Sequence, residues 1–197
     1  MHMIEIMSNP LEHHLRNLRA QKLVFAPDQY LFHLGDPVRL MYFVVAGMAH
    51  LTRTQSDGSM LVLHQAGADS MLAEASFCAE HYHCDAIAVS ETHALAYAVG
   101  EFRANLRSSL DFADVWARHL AHELQIARLR AEILSLKTVA QRLDAWIGWR
   151  GGALARKGEW RTIANEIGVS PEALYREIGK RRGSTKSKNR HGDLLPV

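Results

Sequence analysis

Two short segments of this 197-residue chain hold side chains that could do chemistry together. The first, Cys78-Ala79-Glu80-His81-Tyr82-His83-Cys84-Asp85, packs two thiols, two imidazoles and two carboxylates into eight residues. Thiolate together with imidazole favours copper(I), zinc or haem iron over hard cations. Cys78, His81, His83 and Cys84 are therefore the expected metal ligands, with His64, His119 and His122 as further candidates. Copper(I) comes first, because two thiolates suit a soft ion and cytosolic thiols are kept reduced. Zinc would need the histidines to complete four ligands. The spacing matches no standard zinc signature, and two other readings stay open. Cys78 and Cys84 could form a reversible disulfide, which needs a Cα separation under about 7 Å. They could also be small buried hydrophobes beside surface histidines.

The second segment runs from Trp160 to Arg182. Ile163, Ile167, Val169, Leu174 and Ile178 are spaced to bury two short helices against each other. Ala164 is small where the helices must cross, Gly168 suits the turn, and Ser170 precedes Pro171 at a helix start. The outer face of the second helix then carries Glu172, Tyr175, Arg176, Lys180, Arg181 and Arg182. A recognition helix in the major groove uses this layout, with base-reading residues near its start and basic residues on phosphate. Thr162, Ser170, Glu172, Tyr175, Arg176, Lys180 and Arg181 are the expected DNA contacts. The competing reading is an ordinary helical hairpin with a charged solvent face. Charge favours DNA: residues 1–136 carry ten Lys/Arg against fifteen Asp/Glu, while residues 137–197 carry thirteen against six. A basic C-terminal part joined to an acidic first part points to a polyanion partner.

The elements that must hold these segments follow from periodicity. Hydrophobic residues make up 48% and charged residues 22%, which excludes a disordered or disulfide-framework chain. No run of about 18 apolar residues exists, so no membrane span is expected. With no signal segment visible and only two cysteines, the expected compartment is the cytoplasm. Residues 10–22 read as a short helix. Short β-prone runs follow at Leu23–Phe25, Tyr30–His33, Met41–Val45, Ala49–Arg53, Met60–His64, Ala86–Val89 and Ala94–Val99, separated by turn signals such as Asp57-Gly58. Strands at this spacing predict an antiparallel jelly roll, so the fold class is α+β. From about Glu101 to Trp149 the pattern is helical. Val115, His119, His122, Ile126, Leu129, Ile133 and Leu136 form a heptad seam, expected to pair two copies of the chain. A second stripe runs through Trp116, Leu120, Leu124, Ala127, Ala131 and Leu134. One stripe should face the chain's own β-domain and the other a partner copy.

Gly35-Asp36 followed by Tyr42-Phe43-Val44-Val45-Ala46-Gly47, the run Glu74-Ala75-Ser76-Phe77 through Ala86, the long helix and the helix-turn-helix follow one another in an order that resembles the Crp/Fnr family of transcription regulators. The resemblance covers roughly residues 15–182. It implies a homodimer with a β-roll sensor domain over residues 1–108, a dimerisation helix over 109–136, and a DNA-binding domain over 137–182. It also implies a palindromic double-stranded operator and RNA polymerase as partners. In this family a glutamate followed four residues later by an arginine reads bases, and Glu172 and Arg176 match. The arginine that many members place before that glutamate is Pro171 here. Cyclic-nucleotide binders of the family hold the phosphate with an arginine followed by a hydroxyl residue. Counting from Glu74 to Ala86 puts Cys84 and Asp85 at those places, and Ala73 where a glycine precedes. A thiol cannot neutralise a phosphate and a carboxylate repels one, so no cyclic nucleotide is expected. The apolar hairpin of the family's wing is absent from the pattern after Gly183, and residues 183–197 read as a flexible basic tail. A cupin-like metalloenzyme is the alternative of a different class. Its ligands would normally spread over two strands, and a helix-turn-helix has no role in it, so the chain is not expected to be an enzyme.

Overall fold

The computed structural model describes residues 10–58, 60–152 and 157–190; for residue 157 and for 183–190 it describes the backbone alone. The chain divides into two compact units, Met1–Ala121 and His122–Val197. None of the described helices is long and apolar enough to cross a membrane.

Among the described residues of the first unit, eight strands make two antiparallel sheets. The strands are β1 (Gln21–Phe25), β2 (Tyr30–Phe32), β3 (Leu40–Ala46), β4 (Ala49–Thr54), β5 (Met60–Ala66), β6 (Ser70–Leu72), β7 (Asp85–Ala88) and β8 (Thr92–Ala98). One sheet has the order β1-β8-β3-β6 and the other β2-β7-β4-β5, which is the expected jelly roll. Its core is built by the β-branched and aromatic runs, with Met41, Tyr42, Phe43 and Val44 of β3 all buried. Small residues on β7 and β8, Ala86, Ala88, Ala94 and Ala96, let the sheets approach and are equally buried. The turn between β3 and β4 depends on Gly47, whose φ is +88°. A Cβ there would lie 2.1 Å from the Glu91 carbonyl oxygen, so no other residue fits without moving backbone.

Two elements differ from expectation. Helix α1 spans only Pro10–Leu15, because the chain must straighten for Gln21 and Lys22 to pair with Ala96 and Leu95 of β8. Strand β6 is an addition to the expected set. Three residues are too few to show a period, and only pairing with β3 (Phe43 against Met71) defines it.

The helical stretch is three helices, α2 (Val99–Ser108), α3 (Leu110–Ser135) and α4 (Val139–Trp149). Ser109 leaves the helical conformation at φ −129° and ψ 108°, and its hydroxyl accepts from the Phe112 amide at 3.1 Å, so it ends α2 and caps α3. The start of α3 is fastened to the β-roll by aromatic packing. Trp116 lies 5.0 Å from Phe102 and 5.6 Å from Phe77, ring centre to ring centre. The boundary between the two compact units falls inside α3, after Ala121.

In the second unit Thr138 and Gln141 form a reciprocal capping box that starts α4. Helices α5 (Trp160–Glu166) and α6 (Pro171–Arg190) follow. Ile133, Leu143, Trp146, Trp160, Ile163, Ala164, Ile167, Leu174 and Ile178 form the core, so every apolar position expected to bury the hairpin does so except half-buried Val169, packed at the edge. The flexible tail expected from Gly183 is corrected over its first part: α6 continues to Arg190. That segment has no proline to stop the helix. Residues 191–197 lie outside the described residues.

Candidate nucleic-acid interface and sensor cassette

On α6, Leu174 and Ile178 point into the core, so the helix turns Glu172, Tyr175, Arg176, Gly179 and Lys180 to solvent. This is one continuous face at i, i+3, i+4, i+7 and i+8. Ser170 holds its start by accepting from the Ala173 amide at 3.2 Å. Glu172 is held below the usual carboxylate range by its own backbone amide, then by the Ser170 hydroxyl, with Arg161 and Arg176 adding. The carboxylate thus stands ionised at the helix start with Arg176 one turn behind it. A guanidinium and a carboxylate so placed can address a guanine edge and a cytosine amino group. Thr162 is half-buried on α5.

Arg181 is corrected. Its Nε donates to Glu177 at 2.9 Å, its Nη1 to Asp144 at 2.6 Å and its Nη2 to the Ala140 carbonyl at 3.0 Å. The guanidinium fastens α6 to α4 and is turned away from the face that carries Arg176. Arg182 lies over the Trp160 ring at 4.9 Å. Arg161, exposed at the start of α5 and an electrostatic neighbour of Glu172, is the basic residue that sequence reasoning missed. Its signal was a cation at the first turn of the leading helix.

The two stripes of α3 are sorted by the structure. In the first, Val115 packs on the β-roll core, Leu129 packs on the second core and Ile133 is buried in it. In the second, only Trp116 is buried, while Leu120, Leu124 and Leu134 are 36%, 51% and 44% exposed and Ala127 and Ala131 are exposed. In the single chain the second stripe is thus the more exposed apolar one, while of the first stripe His122 is exposed and Ile126 half-buried.

In the segment from Glu74 to Ala86, the cassette, Glu74–Ser76 make a 3-10 turn that begins after Ala73 in the left-handed conformation, φ 73°. Through residues 81–84, where the chain bends at His83 and Cys84, burial alternates: His81 and His83 are exposed, Tyr82 and Cys84 buried. Tyr82 stacks on Phe32 with centroids 3.9 Å apart and donates to the Leu40 carbonyl at 2.7 Å. The buried Ser76 hydroxyl pairs with His83 Nδ1 at 2.8 Å, and Arg53 donates to the His83 carbonyl at 2.7 Å. Asp85 accepts from the Leu34 amide at 2.9 Å.

This geometry does not bring Cys78, His81, His83 and Cys84 together. Cys84 is buried whereas His81 and His83 are exposed, and His83 Nδ1 is already paired with the Ser76 hydroxyl. Cys78 is exposed and Cys84 buried, both as free thiols. His64 lies on β5, the His119 ring lies tilted 5.3 Å from that of Trp116, and His122 is exposed. Among the described residues no group of three or more His, Cys, Asp and Glu side chains is arranged to hold a metal ion. Nor is Cys84 an activated thiol. Burial pushes it up to about 11, with Arg53 opposing and Asp85 and Glu74 adding, so it is a poor nucleophile near neutrality.

Residues 22–109 match the sequence model of the cyclic nucleotide-binding domain. Among solved structures, FixK2 from Bradyrhizobium japonicum is similar at TM-score 0.70 and 18% identity, over 85% of this chain and 87% of that one. The c-di-GMP responsive global regulator CLP from Xanthomonas campestris is similar at TM-score 0.63 and 16% identity, over 89% and 92%. The catabolite activator protein of Thermus thermophilus is similar at TM-score 0.54 and 22% identity, over 92% and 86%. At these identities the likeness is one of fold. No curated protein matches the chain in sequence.

Proposed function

We propose that this chain, which has the Crp/Fnr regulator fold with a cyclic nucleotide-binding-type domain over residues 22–109, is a sequence-specific DNA-binding transcription regulator. The observation that carries the reading is the exposed face of α6, with Glu172 and Arg176 one turn apart and Tyr175 and Lys180 beside them. The core positions under that face are filled by Leu174 and Ile178, so Glu172, Arg176 and Lys180 stand outside the core, while the 44% exposed Tyr175 also meets the Trp160 ring at 5.6 Å.

Two copies pair through Leu120, Leu124, Ala127, Ala131 and Leu134, and the operator is accordingly a palindrome with one half-site per copy. The exposed leucines on this heptad-spaced stripe support the pairing. The β-roll supplies the input. Phe77 of the cassette touches Trp116 of α3, so a change in the cassette has a packed route to the pairing helix. The input is not an anionic cyclic nucleotide held at residue 84, because a neutral buried thiol and the Asp85 carboxylate stand where a phosphate would need a cation.

The test is fluorescence anisotropy of the full chain on duplexes selected from a randomised pool. Tight binding to a palindromic sequence, lost in Arg176→Ala, is expected. Equal affinity for selected and random duplexes would overturn the reading.

A further inference from the structure

We infer that Arg142 is a positioning residue that locks the helix-turn-helix to the end of the pairing helix α3, and so sets the distance between the two recognition helices of a dimer. The inference rests on the DNA-binding reading above and adds how the reading heads are held.

The guanidinium of Arg142 donates to four backbone carbonyls. Its Nε reaches Leu136 at 2.8 Å and its Nη2 reaches Leu134 at 2.9 Å. Its Nη1 reaches Ile167 at 3.1 Å and Gly168 at 2.9 Å. Leu134 and Leu136 lie at the end of α3, and Ile167 and Gly168 lie at the end of α5. The last turn of any helix leaves carbonyls without intrahelical donors. One fork therefore satisfies the carboxyl ends of two helices at once. Arginine suits this place because its donors are fixed in a plane and its charge complements both helix dipoles.

A second contact makes the same junction. Gly168 sits at φ +64°, and a Cβ on it would fall 2.5 Å from Leu134 Cδ2 and 3.4 Å from Arg142 Nη1. Leu134 is also the last residue of the exposed stripe on α3. A residue of the pairing seam thus lies directly against the turn that aims the recognition helix. Residues 136–138 between α3 and α4 would by themselves be a free joint. Arg142 bridges that joint, so α6 cannot swing relative to the seam without releasing several charge-assisted hydrogen bonds.

The experiment uses the full chain and the variants Arg142→Lys and Arg142→Gln. Lysine keeps the charge but as a single point that cannot serve four carbonyls. Amide hydrogen exchange is expected to speed up by about tenfold or more at Ile167, Gly168 and Val169 in both variants, with the Leu174 and Ile178 amides unchanged. On palindromic duplexes from a selected pool, wild type should prefer one half-site spacing, and both variants should bind several spacings alike. Unchanged exchange at the turn in both variants overturns the lock. Faster exchange with an unchanged spacing profile overturns the positioning role and leaves Arg142 a structural cap. A wild type that binds no duplex selectively defeats the DNA-binding reading instead, while the exchange result still decides the lock. If one variant fails to fold, the other carries both measurements.

Discussion

Arg181 Nη1 lies 2.6 Å from Asp144 Oδ1, and this pair joins α6 to α4. The same guanidinium pairs with Glu177 one turn back, which fixes its rotamer. Arg181→Ala should lower stability by about 1 kcal/mol, since the Asp144 side is largely exposed and screened. Base preference should stay as in wild type. Urea unfolding beside a binding-site selection checks both halves, and a changed consensus would return Arg181 to the DNA face.

Arg176 behaves oppositely. Arg176→Ala should leave unfolding unchanged and cost about 1–3 kcal/mol in binding, with preference relaxed at one base pair per half-site. Lys180→Ala should weaken binding to all duplexes and flatten the salt dependence. Anisotropy titrations at several salt concentrations separate the two. An Arg176→Ala protein with intact sequence preference would mean that α6 does not read bases.

Pairing should follow the exposed stripe. Leu124→Glu puts a carboxylate on each side of the seam and should yield monomers in sedimentation velocity. Ile126→Glu, on the other stripe, should leave the dimer in place. The reverse pattern would show that the first stripe is the seam after all.

Cys84 gives a pH dependence with a definite sign. Its thiol ionises near 9.0 in an unfolded chain and near 11 in the folded protein. The folded pKa is raised, so its contribution is complete below about 9 and is lost as pH rises through about 11. The loss should approach about 2–3 kcal/mol. Urea unfolding at pH 8 and pH 11 should show a steeper fall for wild type than for Cys84→Ala. In the native protein at pH 8, iodoacetamide should label Cys78 and spare Cys84. Fast labelling of Cys84 would reopen the thiol-sensing reading.

The cassette makes one negative prediction. Cyclic AMP should leave DNA affinity unchanged, whereas Cys84→Arg with Asp85→Ser should create a response if the cassette backbone is intact. A cyclic AMP response in the wild type would overturn the account of residues 84 and 85.

Periodicity and turn chemistry by themselves determine much of this protein. The β-prone runs of β3 to β5, the break at Gly47, the long helix and the two helices around Gly168 are local patterns, and local patterns are written in the sequence. So is the reading face of α6, because Leu174 and Ile178 fix which side is buried and the remaining positions follow at 3.6 residues per turn. What the tertiary structure decides is which of several chemically suitable neighbours each group meets. Both stripes of α3 are apolar, and only the packing of Val115, Leu129 and Ile133 shows that the other is open. Arg181 is as basic as Arg176, but Asp144 and the Ala140 carbonyl lie where only Arg181 can reach them. Cys78, His81, His83 and Cys84 are close in sequence, yet the fold buries Cys84 and leaves Cys78 and the two histidines exposed. Arg142 carries no signal in the sequence at all, since its partners are main-chain carbonyls that every residue possesses and only the fold brings to one point.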